Sequence, residues 1–449
     1  MEQESLKRGI ELTNRLGQEW FGDRLGITFL WWKSGKINKA TFLFLGVVFF
    51  VNLFLVFPLF MRDTSSSYSS STVFSFFGNL FEGTGLFPKV YLFQILTFIS
   101  LSFAPVSFYL FVRKTALGHE PTAFLATILY VLPIPFLGGG LPFARAILSG
   151  DGAHAFAFTF VPLLLLSVEA FIAMGAPFWR VVSSIGTAIT AIISPFVAFN
   201  LLIFIFIITV AEGFMGNLRV KFSRLLVLLI ASFGLSLFWY YPSVSLEILD
   251  ISHVLFAINK FWSIFPILIP IVPIAGIIFF LILDRREKLK HIFISFAFLA
   301  VYIFLYSTSK NLAVSGIFTA DRYLIELSFA RSLFASLSFV LIAEFIIRNY
   351  VLNKSKIVLF LLSTIATIAL LVLIVLVMQS TLTLRSNFAD QEIFNPYSFG
   401  IGSIKRSGLK FPDIVATTLS IITFVFLIFM FKKDTKVSAI IKEKEDLAK

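Results

Sequence analysis

Residues 180–212 read RVVSSIGTAITAIISPFVAFNLLIFIFIITVAE, from Arg180 to Glu212. The stretch is either one long membrane helix or two short ones meeting at Ser194-Pro195. Proline drives the residue before it away from the helical region, so a break at Ser194 is expected on local sterics. Charge selects the same reading. As one helix, the stretch would put the next basic link, Arg219-Lys221-Arg224, on the opposite side from the other basic links. As segments 180–194 and 196–212, it keeps every basic link on one side.

Working outward from that break, the apolar runs give twelve predicted spans. They are 41–61, 90–112, 121–138, 154–174, 180–194, 196–212, 223–242, 259–283, 290–308, 323–347, 357–378 and 413–431. Runs of this kind match the roughly 20 residues a helix needs to cross a bilayer. One set of links carries Arg113-Lys114, Arg219-Lys221-Arg224, Arg285-Arg286-Lys288-Lys290, Arg348-Lys354-Lys356 and Lys432-Lys433. The other holds a Ser-rich stretch at 64–71, a Gly-rich stretch at 138–153, the segments 243–258 and 309–322, and a long loop at 379–412. The positive-inside rule puts the first set in the cytoplasm. The expected protein is an all-α, polytopic bundle of the cell membrane with both termini cytoplasmic. Its parts are a segment 1–40, a membrane domain 41–431 and a charged cytoplasmic tail 432–449.

Composition agrees with that class. Hydrophobic residues make up 58% of the 449 and charged residues 14%, against about 25% charged in a soluble domain. Mean hydropathy is +0.93, and the 58 Phe residues suit a wall facing lipid. The absence of cysteine excludes disulfides, thiolate metal sites and Cys nucleophiles. The net charge of +12 does not point to nucleic acid, because the basic residues sit in the short links and tails, where topology and anionic lipid account for them. No signal peptide is expected, since a charged segment precedes the first apolar run near Thr41. That segment ends in Phe29-Leu30-Trp31-Trp32-Lys33 and reads as a helix lying in the headgroup zone or a surface for a partner.

Charges within the bilayer are costly and point to function. Arg331 lies about two turns into its span, five residues after Glu326. It would hold a lipid phosphate through paired hydrogen bonds, or form an ion pair with Glu326 or an acid on another helix. Glu169 and Glu344 fall near the cytoplasmic ends of their spans, where snorkelling accounts for them; a proton relay through Glu169 is the alternative. On the outer side, Asp63 follows the first span, and Asp151 sits in Arg145-x5-Asp151-x2-His154. A carboxylate at a helix mouth can act as a general base or bind a divalent cation with a second oxygen ligand. The glycines around Asp151 would let backbone approach a ligand; otherwise Asp151 simply caps the helix that begins near His154.

His154 and His253 share the outer side, and His119 and His291 the inner. Either pair could in principle hold a haem, yet none lies well inside a span. Prolines recur at or within the spans, and kinks there must find partners for freed backbone groups, often beside cavities. No Walker sequence, GxSxG elbow, HExxH helix or dinucleotide fingerprint occurs in the right context.

A resemblance enters between about residues 90 and 242. In order come Phe108-Tyr109-Leu110-Phe111-Val112-Arg113-Lys114, Ala123-Phe124-Leu125-Ala126-Thr127-Ile128-Leu129-Tyr130 with Pro133, the Gly-rich loop, Ala155-Phe156-Ala157-Phe158 with Pro162-Leu163-Leu164, the break at Ser194-Pro195, and Phe238-Trp239-Tyr240-Tyr241-Pro242. This resembles polytopic membrane proteins related to GT-C glycosyltransferases, including YfhO-like proteins. The resemblance covers about a third of the chain. It implies a sugar donor carried on a polyprenyl phosphate and an acidic base or metal ligand in the first external loop. Asp63 best fits that role, with Glu82 second. The loop departs from the family in being a run of serines with no paired acids, and the large soluble C-terminal domain of some members is missing.

Three functions follow. The first is a GT-C-like glycosyltransferase acting on the outer face, with Asp63 or Asp151 in the chemistry and Arg331, Arg145, His154 and Glu82 around the substrate. The second is a non-catalytic subunit anchoring a respiratory or cell-surface complex. The third is a secondary transporter, which commonly has matched halves with broken helices; no second copy of the Pro195 break is evident.

Overall fold

The computed structural model describes residues 39–60, 63–68, 71–85, 88–115, 120–131, 142–240, 271, 274–276, 287–311, 320–346 and 411–447. The chain forms two compact units, Met1–Val51 and Asn52–Lys449. Everything described of the first is Lys39–Val51, the opening part of helix α1. The N-terminal segment up to residue 38 lies outside the described residues, so neither reading of it is addressed.

Every described element is helical. They are α1 (Lys39–Phe60), α2 (Ser65–Tyr68), α3 (Thr72–Thr84), α4 (Lys89–Thr115), α5 (Glu120–Val131), α6 (Pro142–Leu148), α7 (Gly152–Met174), α8 (Pro177–Ile193), α9 (Pro195–Met215), α10 (Leu218–Ser236), α11 (Glu287–Asn311), a 3-10 turn (Ala320–Tyr323), α12 (Leu324–Ile346) and α13 (Phe411–Leu447). Among the described residues, five helices are long and apolar enough to cross a membrane by length and composition: Lys89–Thr115, Gly152–Met174, Pro195–Met215, Lys290–Lys310 and Phe411–Lys432. The predicted span 357–378 lies outside the described residues, and 259–283 almost wholly so. The tail beyond Lys432 continues α13 as helix to Leu447.

The break at Ser194 is built as the sterics require. Ser194 is extended (φ −145°, ψ 104°), closes α8 with its N–H on the Thr190 carbonyl, and caps α9 by accepting from the Val197 N–H. Pro195 then occupies the first turn of α9, where a missing N–H costs nothing. The next junction uses a different device. α7 ends at Gly175 in the left-handed region (φ 74°), with its N–H on the Phe171 carbonyl.

In lipid, helices gain little by hiding apolar surface from one another, so packing and hydrogen bonds must hold the bundle. Phe329 of α12 is the packing centre. It meets the rings of Phe108 and Phe111 (α4), Tyr130 (α5), Phe158 (α7), Phe204 (α9) and Phe298 (α11). Each such pair adds roughly 0.5–1.5 kcal/mol beyond its buried area. The candidate spans of α7 and α9 are 78% buried and that of α13 only 17%; α7 and α9 are therefore central and α13 peripheral.

The serine-rich segment is folded into the bundle. Thr64 Oγ1 is 3.0 Å from Thr97 Oγ1, and the Tyr68 hydroxyl is 3.1 Å from the same atom. Ser67 donates to the Ile147 carbonyl and Ser71 to the Ile193 carbonyl, at the break itself. Gly152 makes this docking possible: a Cβ there would lie 2.9 Å from Tyr68 Cζ. What approaches the glycine beside Asp151 is thus the chain's own Tyr68. The proline inside α4 is accommodated similarly. Pro105 lacks the N–H that would bond Leu101, and Asn52 Nδ2 donates to the Leu101 carbonyl instead. Asn52, Pro105 and Tyr130 line a small pocket here.

Candidate functional site

Two buried charge clusters lie toward opposite ends of α7, one at Asp151 just before it and one at Glu169 within it, 18 residues apart in sequence, about 27 Å along a helix.

At the Asp151 end, Asp151 occupies the position before α7, yet its side chain makes no capping bond. It is 2% exposed and held by Arg322 of the 3-10 turn, whose Nε donates to Oδ2 at 2.6 Å and whose Nη2 donates to Oδ1 at 2.9 Å. The guanidinium also sits 4.4 Å above the Phe196 ring. Within the first turn of α7, His154 places Nδ1 3.2 Å from Asp151 Oδ2 and Nε2 2.9 Å from Glu326 Oε1. Asn200 of α9 donates from Nδ2 to the same Glu326 oxygen at 2.8 Å, and the Tyr302 hydroxyl donates to the Asn200 carbonyl. Burial pushes the Asp151 carboxyl up, but the Arg322 guanidinium and the His154 ring outweigh this and hold it well below the usual carboxylate range.

The motif Arg145-x5-Asp151-x2-His154 is therefore brought together as one site, with Asp321-Arg322 as its complement. Arg145 pairs with Asp321 at 3.3 Å, with both side chains more than half exposed, while Asp151 pairs with Arg322 in the interior. Adjacent residues of opposite charge on one segment thus meet opposite charges on the other, fixing segment 142–151 against the head of α12.

The remaining predicted residues lie apart from this network. Asp63 is exposed, and its Oδ1 accepts from the Ser65 N–H at 2.9 Å, capping the short α2. Glu82 is exposed near the end of α3. Arg331 is half-buried in α12; its Nε is buried and finds no hydrogen-bond partner among the described residues. Glu326, the acid considered as its partner, is engaged by His154 and Asn200 instead.

At the other end, Lys290 bridges Glu169 at 3.0 Å and Glu212 at 2.6 Å, and Lys221 reaches Glu212 at 3.4 Å. Arg224 Nη1 donates to the carbonyls of Ile172 and Ala173, both at 2.8 Å, capping the end of α7 with a cation. Glu169 is 3% exposed, so a buried bridge accounts for it rather than snorkelling. The side chain of Glu344 lies outside the described residues.

Sequence reasoning missed Arg322, Asp321 and Asn200, and the alternative that paired Glu326 with Arg331 is not the one formed, since His154 and Asn200 hold Glu326. Signals for them did exist: Asn200 interrupts an apolar span, and Asp321-Arg322-x3-Glu326 clusters charge at the head of another. As for haem, both ring nitrogens of His154 face carboxylates, His291 lies 4.0 Å from Glu169, and His119 and His253 lie outside the described residues. Among the described residues no group of three His, Asp or Glu side chains is arranged to hold a metal ion. Neither a family model, nor a curated protein, nor a solved structure matches this chain.

Proposed function

We propose that this chain is a GT-C-like glycosyltransferase of the cell membrane, with about 12 spans and both termini in the cytoplasm. It moves a sugar from a polyprenyl-phosphate donor to an acceptor on the outer face. Arg331 holds the donor phosphate and Asp63 is the base that takes the proton of the acceptor hydroxyl. The observation that carries the reading is Arg331. Its Nε is buried without a partner among the described residues, and the acid five residues before it is engaged elsewhere. An unpaired guanidinium within a bilayer is costly, so an anion that enters from the lipid is its natural complement, and a lipid phosphate matches its fork of donors. Asp63 and Glu82 both remain exposed, and Asp63 is preferred because it directly follows the first predicted span, whereas Asp151 is committed to Arg322 and is assigned to the framework. The sugar-transfer chemistry itself rests on the resemblance carried by residues 90–242.

A second reading, a non-catalytic subunit, is favoured by the same fate of Asp151, because it leaves the outer loops with few carboxylates free for chemistry. Two variants separate the readings. In nanodiscs, Arg331→Gln should weaken binding of undecaprenyl phosphate by at least about tenfold, the loss expected for one charged hydrogen bond. Asp63→Asn should retain that binding and abolish transfer from a polyprenyl-phosphate sugar. Equal lipid binding by Arg331→Gln removes the clamp, and full transfer by Asp63→Asn removes the base. A stoichiometric partner in native membranes with no transfer by the wild-type protein selects the subunit.

A further inference from the structure

His154 stands between two carboxylates, and the arrangement constrains its protons. Neutral imidazole has one N–H and one lone pair. Here an acidic oxygen faces each nitrogen, at 3.2 Å from Nδ1 and 2.9 Å from Nε2. If both acids were ionised and the ring neutral, one lone pair would point at a carboxylate oxygen. Arg322 does not resolve this, because the acid it grips is Asp151, through Nε and Nη2. The other donor to Glu326 is the uncharged Asn200 amide, and Glu326 Oε2 is buried without a partner among the described residues.

The groups facing this trio from the surrounding helices supply no second cation among the described residues. Phe158 and Phe196 present rings to His154. Tyr130, Tyr302 and Tyr323 lie within electrostatic reach of Glu326. The Arg145–Asp321 pair is exposed and internally balanced. Arg322 carries one positive charge, and ionised Asp151 and Glu326 carry two negative charges. One more proton makes the group neutral. Asp151, His154 and Glu326 are all nearly inaccessible, where an uncompensated charge is expensive.

We infer that Asp151, His154 and Glu326 hold one resident proton, shared across the bond between His154 Nε2 and Glu326 Oε1, and that this proton locks segment 142–151 onto the head of α12. It has two forms: an imidazolium facing an ionised Glu326, or a neutral ring accepting from a protonated Glu326. In both, Nδ1–H donates to Asp151, and no atom other than the proton moves. The inference is independent of sugar transfer and stands or falls separately from it.

The test uses the full-length protein in nanodiscs with its histidines labelled with nitrogen-15. The expected result is either a His154 ring with both nitrogens protonated or an infrared carboxylic-acid band that disappears in Glu326→Gln. A neutral ring together with no such band overturns the inference. Stability gives a second readout. His154→Gln strands Glu326 and should lower the unfolding temperature by on the order of 10 °C. Adding Glu326→Gln removes the stranded charge and should restore about half of that loss or more. A double variant no more stable than His154→Gln overturns the charge account, since shape alone would then explain the single loss.

Discussion

At the scale of single residues, burial separates two ion pairs that look equivalent in sequence. Arg145–Asp321 and Arg322–Asp151 join the same two segments, but the first is more than half exposed and the second nearly inaccessible. Exposed pairs contribute about 0–1 kcal/mol, whereas removing one partner of a buried pair costs about 3–5 kcal/mol. Arg322→Met should therefore destabilise the detergent-solubilised protein by several times more than Arg145→Ala, measured by thermal unfolding. The acid side carries a matching signature. Because folding lowers the Asp151 carboxyl, its contribution is complete above the ordinary carboxylate value near 3.9 and fades as pH falls well below it. In Arg322→Met the main cause of that lowering is gone, so the acid loss of stability should begin at higher pH than in the wild-type protein. Coincident acid limbs would show that Arg322 does not hold Asp151 in solution.

At the scale of elements, the first loop and the start of α7 fold as one unit. The serine run donates to main-chain carbonyls at two helix ends, Ile147 and Ile193, and Tyr68 fills the space above Gly152. Gly152→Ala introduces a Cβ 2.9 Å from Tyr68 Cζ, which forces α2 away from α7. Overpacking of this kind costs roughly 1–3 kcal/mol. The expected outcome is a lower unfolding temperature together with faster proteolysis between residues 61 and 71. An unchanged cleavage rate would mean that α2 is not seated on Gly152. The sequence placed 64–71 among the external links as a run of serines; a serine hydroxyl serves water or a buried carbonyl equally well, and the choice depends on which carbonyls lie nearby.

At the scale of the whole molecule, the prediction concerns sidedness, and the absence of cysteine makes it directly testable. A single cysteine at Glu82 should react with an impermeant maleimide in intact cells, and one at Arg219 only after permeabilisation. Labelling of both without permeabilisation, or the reverse order, would overturn the topology drawn from the basic links. The same experiment reports on the break at Ser194, because joining 180–212 into one helix exchanges the sides of everything that follows.

The sequence by itself determined the all-helical class, the apolar segments and the position of the central break. Each of these is local: hydropathy acts along a segment, and the proline at 195 restricts the residue directly before it. Asp151, His154 and Arg145 were legible as a group because they lie within ten residues of one another. Only the tertiary structure decided their partners, since Asp151 meets Arg322 across 171 residues and Lys290 meets Glu169 across 121. Any of several intramembrane acids satisfies a buried cation equally well on paper. Which one does so is fixed by how the helices pack, here around Phe329, and that packing sets Asp151 in a buried pair with Arg322 while leaving Arg331 Nε without a partner among the described residues.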